Sequence, residues 1–314
     1  MFDLDSPYNN ENRRVPDYKL MKAGQKEGWE INTYDLCGEV SRDDVFVAFN
    51  HYQNIFAKYG KKVRFEHRIL IAFEPFLDDN FNKRNKFLYN KILTCDLSLV
   101  DNKKYFHFFY PITKMDIKQL PIEKRKFLVN ISHNKRASHP QELYSERVKA
   151  IETARFLFHD KFDLYGTRWD KSKFSLQSTE SKACNLLNSY RGYAENKYEV
   201  LRNYKFSLCY ENVKNRPGYI SEKIFDCFQC GVSPLYYGAP DVTRHIPEET
   251  MIWRERFNSI EEMLYYAKKM SKEDMDEKKN TIAWFLSSDL LNKFRDDTYV
   301  EKIINTIKLC IKKL

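Results

Sequence analysis

The chain has 314 residues and 42% hydrophobic side chains, enough for about two domains with cores of their own. Its 53 basic and 44 acidic residues leave a net charge of +9, which suits an anionic partner such as a nucleotide sugar or acidic lipid; the cationic residues are dispersed without a recognition motif, so nucleic acid is not expected. Seven scattered cysteines fit a reducing compartment better than a disulfide framework, and neither a run of ~18 apolar residues nor a signal-peptide pattern is visible, which points to a cytoplasmic protein.

Residues 1–14 are polar and turn-rich, so either an opening strand is missing or the natural start lies upstream. Tyr18–Glu27 has the pattern of a short amphipathic helix, and Trp29–Leu36 alternates well enough for a strand. Val45–Phe49 and Arg68–Phe73 are compact apolar runs that fit buried strands, with a helix over Ile55–Tyr59 between them. This alternation predicts a first α/β domain. Glu74 follows the second run directly and Pro75 stops it, so its carboxylate sits at a sheet's functional edge. Position alone fits a proton acceptor and a solvated strand-end acid equally. Lys91–Val100 and Phe106–Pro111 complete this half, and the mixed segment Ile117–Lys126 is the expected link.

Phe127–Ser132 opens the second half as a strand, followed by a polar loop and a helix over Gln141–Phe158 that carries Arg147. Phe162–Gly166 is a short strand, and Lys197–Asn203 a helix. Residues 204–240 then change period twice: a β-prone run to Tyr210, loop residues from Asn212 to Gly218, a helix with Ser221 as N-cap and Gly231 past its end, and a strand over Val232–Tyr237. The helix start favours anions, with Glu222 and Lys223 in its first turn. Composition alone favours a solvated Lys223 and a Glu222 that only complements the helix dipole. Cys227 and Cys230 form a C-x-x-C, but inside this helix and without further ligands, which fits buried helix positions better than a zinc site.

Downstream, Met251–Trp253 fits a short strand, Ser259–Ser271 a helix with a Ser259/Glu262 capping box, and Glu273–Phe285 another helix. Residues 299–314 place Ile303, Ile304, Ile307 and Ile311 on one face with lysines elsewhere. Such a basic amphipathic helix fits docking on its own protein or peripheral contact with a membrane, with the former favoured.

The runs Y-K-F-S-L-C-Y-E-N at 204–212, G-Y-I-S-E-K at 218–223 and G-V-S-P-L-Y-Y-G-A-P at 231–240, in that order, resemble the signature of the glycosyltransferase family 10 fucosyltransferases. Ser233 before Pro234 departs from the family's usual β-branched residue, which implies altered packing. The resemblance runs from about residue 65 to 270. It implies an α/β fold of the GT-B type: two Rossmann-like domains facing a cleft, with C-terminal helices. Residues 1–122 would bind the acceptor, residues 123–290 the GDP-sugar donor, and residues 291–314 form a C-terminal amphipathic helix.

The resemblance also implies an inverting transfer of L-fucose from GDP-fucose to a glycan hydroxyl, in α-1,3 linkage, on a bacterial lipopolysaccharide or similar surface glycan. Glu74, in the Phe73-Glu74-Pro75 context, would be the general base. Arg147 in Ser145–Val148 would meet the pyrophosphate, with Arg136 as the competing choice. Ser221, Glu222, Lys223, Asn212 and Tyr219 would bind the donor, and Ser132 is a weaker candidate. With cations and a helix N-terminus on the leaving group, no cofactor or divalent metal is obligatory. Asp78-Asp79 and Asp296-Asp297 fit loop and turn acids. The implied setting is cytoplasmic or peripheral on the inner membrane. A transferase using another GDP-deoxysugar and a noncatalytic GDP-sugar or glycan binder are the alternatives.

Overall fold

A computed structural model describes residues 2–6, 9–73, 85–169 and 188–311. The chain forms two compact units. The first comprises Met1–Thr113, Arg216–Ile220 and Asn292–Leu314; the second comprises Lys114–Asn215 and Ser221–Leu291. The boundary therefore falls between Thr113 and Lys114, ahead of the expected link.

In the first unit, α1 (Val15–Lys26) precedes β1 (Phe46–Phe49), β2 (Arg68–Ala72), β3 (Lys91–Thr94) and β4 (Tyr105–His107). These strands form one parallel sheet in the order β1-β2-β3-β4. Side chains alternate between the two faces of a strand, so the apolar runs cover both. Ile69, Ile71 and Leu93 join one cluster with Leu20 of α1, while Leu70, Ala72 and Ile92 join another with Phe56 and Tyr89. Trp29–Leu36 is not a strand. The amide nitrogens of Leu36 and Cys37 donate to the Thr33 carbonyl; Trp29 packs against the cluster of Ile69 and Ile71, but Tyr34 and Leu36 are exposed and the alternation is lost in a turn before the segment ends. β3 is also shorter than expected: the Asp96 side chain accepts from the Ser98 N–H at 3.0 Å and starts a turn.

The C-terminal helix α7 (Asp296–Ile311) belongs to this unit and is not a separate domain. Its Tyr299, Val300, Ile303, Ile304 and Ile307 are buried in the cluster that holds Ile69 and Ile71. Lys302 Nζ donates to the His107 carbonyl at 2.8 Å, and Lys308 pairs with Glu27 at 2.7 Å. The apolar face proposed for membrane contact is thus spent on the protein's own sheet. Asp296 and Asp297, expected as turn acids, pair with Lys19 at 2.9 and 2.8 Å.

The second unit runs β5 (Lys126–Ile131), α2 (Tyr144–Phe158), β6 (Phe162–Tyr165), α3 (Lys197–Leu201), β7 (Tyr204–Tyr210), α4 (Glu222–Gln229), β8 (Ser233–Tyr237), β9 (Ile252–Trp253), α5 (Ile260–Lys269) and α6 (Lys272–Ser287). All five strands are parallel, in the order β6-β5-β7-β8-β9. Counted within the unit this is 2-1-3-4-5, a doubly wound sheet whose order reverses between β5 and β7. Leu128, Phe206, Leu208 and Leu235 pack with Ala150, Ile151 and Ala154 of α2 and Met263 and Leu264 of α5. The Arg125 guanidinium ties the strand entry together by donating to the carbonyls of Leu120, Cys230 and Gly231 at 2.9, 3.1 and 2.6 Å. At α5, Ser259 caps the Glu262 N–H as expected, but the Glu262 carboxylate reaches the Asn258 N–H instead of closing the box.

Candidate active site

Ligands of doubly wound sheets bind beyond the carboxyl ends of the strands, where the order reverses. Here that point is the end of β5 and the end of β7. The two loops that leave them are stitched together. The Leu143 N–H donates to the Asn212 carbonyl and the Lys214 N–H to the Gln141 carbonyl, both at 2.9 Å.

β7 is buried along almost its whole length and is followed directly by Glu211, which is 0% exposed. Its Oε1 accepts from the Ser221 N–H at 2.8 Å, and its Oε2 from the Ser221 hydroxyl at 2.6 Å and from Lys223 Nζ at 3.1 Å. Asn212 Oδ1 accepts from the same ammonium at 3.2 Å. Ser221 is the N-cap of α4, and its Oγ accepts from the Lys223 N–H at 3.5 Å. Asn212, Ser221 and Lys223 are therefore gathered around one buried carboxylate. Glu222 is exposed in the same turn.

The inner face of α4 is anchored by Ile224, Phe225 and Phe228, all 0% exposed, with both rings against Phe285 of α6. Burial pushes the Asp226 carboxyl up to about 6, although Lys197 at 2.8 Å and the Tyr198 hydroxyl at 2.9 Å pull the other way. The C-x-x-C thiols face inward too. Cys230 Sγ donates to the Tyr198 carbonyl, and burial pushes its pKa upward. No group of three or more His, Cys, Asp or Glu among the described residues is placed to hold a metal ion.

At the β5 end, the Ser132 hydroxyl donates to Asn130 Oδ1 at 2.6 Å, and Asn130 Nδ2 donates to the Leu208 carbonyl at 3.0 Å. The Ser132 hydroxyl proton is thus committed to its own strand. Arg147 lies in the first turns of α2, 6% exposed, with its guanidinium 5.2 Å from the Tyr144 ring centroid. Arg136 is an exposed loop residue. Tyr219 belongs to the first unit, buried with its ring edge-on to Tyr110 at 6.0 Å; neighbouring Arg216 pairs there with Asp96 at 3.3 Å. Glu74 lies outside the described residues, as do Asp78 and Asp79.

Sequence reasoning did not single out Glu211, the buried carboxylate at the centre of this cluster. It stood in the quoted E-N pair, but an acid after a buried strand looks solvent-facing until its donors are in place. The available signal was the combination of that pair with Ser221 and Lys223 ten and twelve residues on.

Residues 123–278 match the model of the glycosyltransferase family 10 (fucosyltransferase) C-terminal region. An alpha-(1,3)-fucosyltransferase of Helicobacter pylori is 36% identical over 74 residues, 24% of this chain and 15% of that protein. A GDP-fucose protein O-fucosyltransferase 3 of Xenopus tropicalis is 33% identical over 106 residues, 33% of this chain and 22% of that protein. Each alignment thus spans less than a quarter of the relative's own length. A crystal structure of an alpha1,3-fucosyltransferase with GDP superposes at a TM-score of 0.55 and 17% identity, over 96% of this chain and 87% of that one. That likeness is one of fold, and the fold is GT-B.

Proposed function

We propose, from the premise that residues 123–278 form a glycosyltransferase family 10 domain, that the protein moves L-fucose from GDP-fucose to a hydroxyl of a glycan acceptor. The observation that carries this reading is the placement of Lys223 at the α4 N-terminus, held at the point where the strand order reverses.

Transfer breaks the bond between the sugar carbon and the diphosphate oxygen and forms one to the acceptor oxygen. The acceptor hydroxyl gives its proton to a base as it attacks, a role we assign to Glu74. Attack opposite the departing diphosphate inverts the sugar carbon, through an oxocarbenium-like state. Charge grows on the diphosphate as it leaves. Lys223, Arg147 and the N–H groups of the first turn of α4 supply fixed positive potential for it. We also assign donor binding to Asn212 and Tyr219, and contacts with sugar hydroxyls to Glu222, which is exposed in that turn. With this charge supplied by the chain, a divalent ion is not obligatory, so activity should survive EDTA.

The test is incubation with GDP-fucose and a panel of glycan acceptors, lipopolysaccharide cores included, read by product mass and linkage. A second panel of GDP-deoxysugars checks the donor. The match to a protein O-fucosyltransferase makes a folded protein acceptor a necessary arm. Binding of GDP-fucose without transfer to any acceptor would point to a noncatalytic binder. Glu74→Gln should bind GDP normally and lose turnover; full retained turnover would remove the base assignment. No helix among the described residues is long and apolar enough to cross a membrane. For location, the seven scattered cysteines favour a reducing compartment, and fractionation between cytoplasm and inner-membrane surface checks it.

A further inference from the structure

We propose that Glu211 is a positioning residue that aims the Lys223 ammonium and the first turn of α4 at the departing diphosphate. This rests on the phosphate role given to Lys223 above. The carboxylate is fully buried and accepts from the Ser221 N–H, the Ser221 hydroxyl and Lys223 Nζ. Its main chain is fixed as well, since the Glu211 N–H donates to the Tyr237 carbonyl at the end of β8 at 2.9 Å. Gly238 leaves the space it occupies: a Cβ there would come within 2.4 Å of Glu211 Cγ.

Capping alone does not explain a charge in this place. A serine satisfies a helix N-terminus without help, and burying a carboxylate is costly unless it is paired and hydrogen-bonded. What the charge adds is control of another charge. Lysine is a point charge on a flexible four-carbon stem, so its direction must be imposed from outside. Glu211 and Asn212 impose it from one side, at 3.1 and 3.2 Å. Because Ser221 donates its hydroxyl proton to Glu211, its lone pairs remain for the Lys223 N–H. One carboxylate therefore sets both the cation and the helix start before the donor arrives. Preorganised charges of this kind act most where charge develops.

The experiment compares the parent, Glu211→Gln, Lys223→Ala and the double variant, by GDP titration calorimetry, steady-state kinetics and thermal unfolding. Glu211→Gln keeps the side chain's shape and one acceptor oxygen. It is expected to weaken GDP binding about tenfold and lower kcat by about tenfold or more, with the GDP-fucose KM changing less than about threefold, because GDP carries the full leaving-group charge. In the Lys223→Ala background the same change should alter GDP affinity and kcat by less than about twofold, because the residue acts through the lysine. Lys223→Ala alone leaves a buried carboxylate without its ammonium and should lower Tm; the double variant should recover part of that loss. An equal effect of Glu211→Gln in both backgrounds, or unchanged GDP binding and kcat, would overturn the positioning role while leaving the function intact. If Lys223→Ala binds GDP and turns over like the parent, the phosphate role of Lys223 fails and takes this proposal with it.

Discussion

The passage from β7 into α4 and the passage from β5 into α2 each bring one cation into a helix that starts where the strand order reverses, and they hold it differently. Lys223 is tied by charge to a fully buried Glu211 and donates a hydrogen bond to Asn212 Oδ1. Arg147 is buried with its guanidinium over the Tyr144 ring, and the end of β5 carries the neutral pair of Ser132 and Asn130. Side-chain chemistry accounts for the contrast. A planar guanidinium can be oriented by stacking, whereas an ammonium has no face and needs a directed acceptor. Two neighbouring crossovers of one sheet thus each place one cation, one beside a carboxylate and one over an aromatic ring.

The contrast can be broken first at the backbone. Gly166 has φ +127°, and a Cβ there would lie 1.8 Å from the Ser132 carbonyl oxygen. Gly166→Ala should cost about 3 kcal/mol or more of stability by denaturant unfolding, since strain and overpacking add. On the other passage, Gly238→Ala presses on the buried Glu211 side chain. Its expected cost is smaller, about 1–3 kcal/mol. It should nevertheless weaken GDP binding, measured by calorimetry, more than Gly166→Ala does.

The α4 helix also makes a pH prediction. The Asp226 carboxyl is raised by burial from 3.8 to about 6. The folded protein therefore binds this proton more tightly than the unfolded chain. The stability it contributes is fully present below about pH 3.8 and is lost as pH rises through about 6. Asp17 in the first unit, also raised to about 6 by burial, acts with the same sign. Unfolding free energies at pH 4.5 and 7 should differ less in Asp226→Asn than in the parent, by roughly 1–3 kcal/mol.

Arg147→Lys sharpens the comparison directly. Losing the planar group should weaken GDP binding about tenfold and lower Tm. Arg136→Ala, at an exposed loop site, should do neither; if it has the larger effect on GDP affinity, Arg136 is the phosphate arginine. The smallest effect is expected for Glu222→Gln, whose exposed position predicts a stability change within about 0.5 kcal/mol. Its effect should fall on the KM for GDP-fucose.

Much of the second unit was legible in the sequence because its elements are locally marked. β7, α4 and β8 follow from an apolar run, a serine N-cap and a second run broken by Gly238, and the structure places them within a residue or two of expectation. The first unit was harder. Trp29–Leu36 had the period of a strand but no sheet to join, which a period of two cannot report. The C-terminal helix was visible as a helix whose apolar face favoured docking on its own protein over a lipid surface, but only the structure shows which core covers it.

For the site, Ser221 and Lys223 were visible as a helix start with a charge in its first turn, a pattern written in consecutive residues. Glu211 was not, because what distinguishes it is its loss of solvent and its three donors, and both arise only when β7 is enclosed and the chain returns ten residues later. Local sequence determined the strands, the caps and the order of motifs, since backbone propensity and side-chain period act over a few residues. Tertiary structure alone decided which charges are buried, which partners hold them and which apolar faces are covered, since burial depends on chain segments distant in sequence.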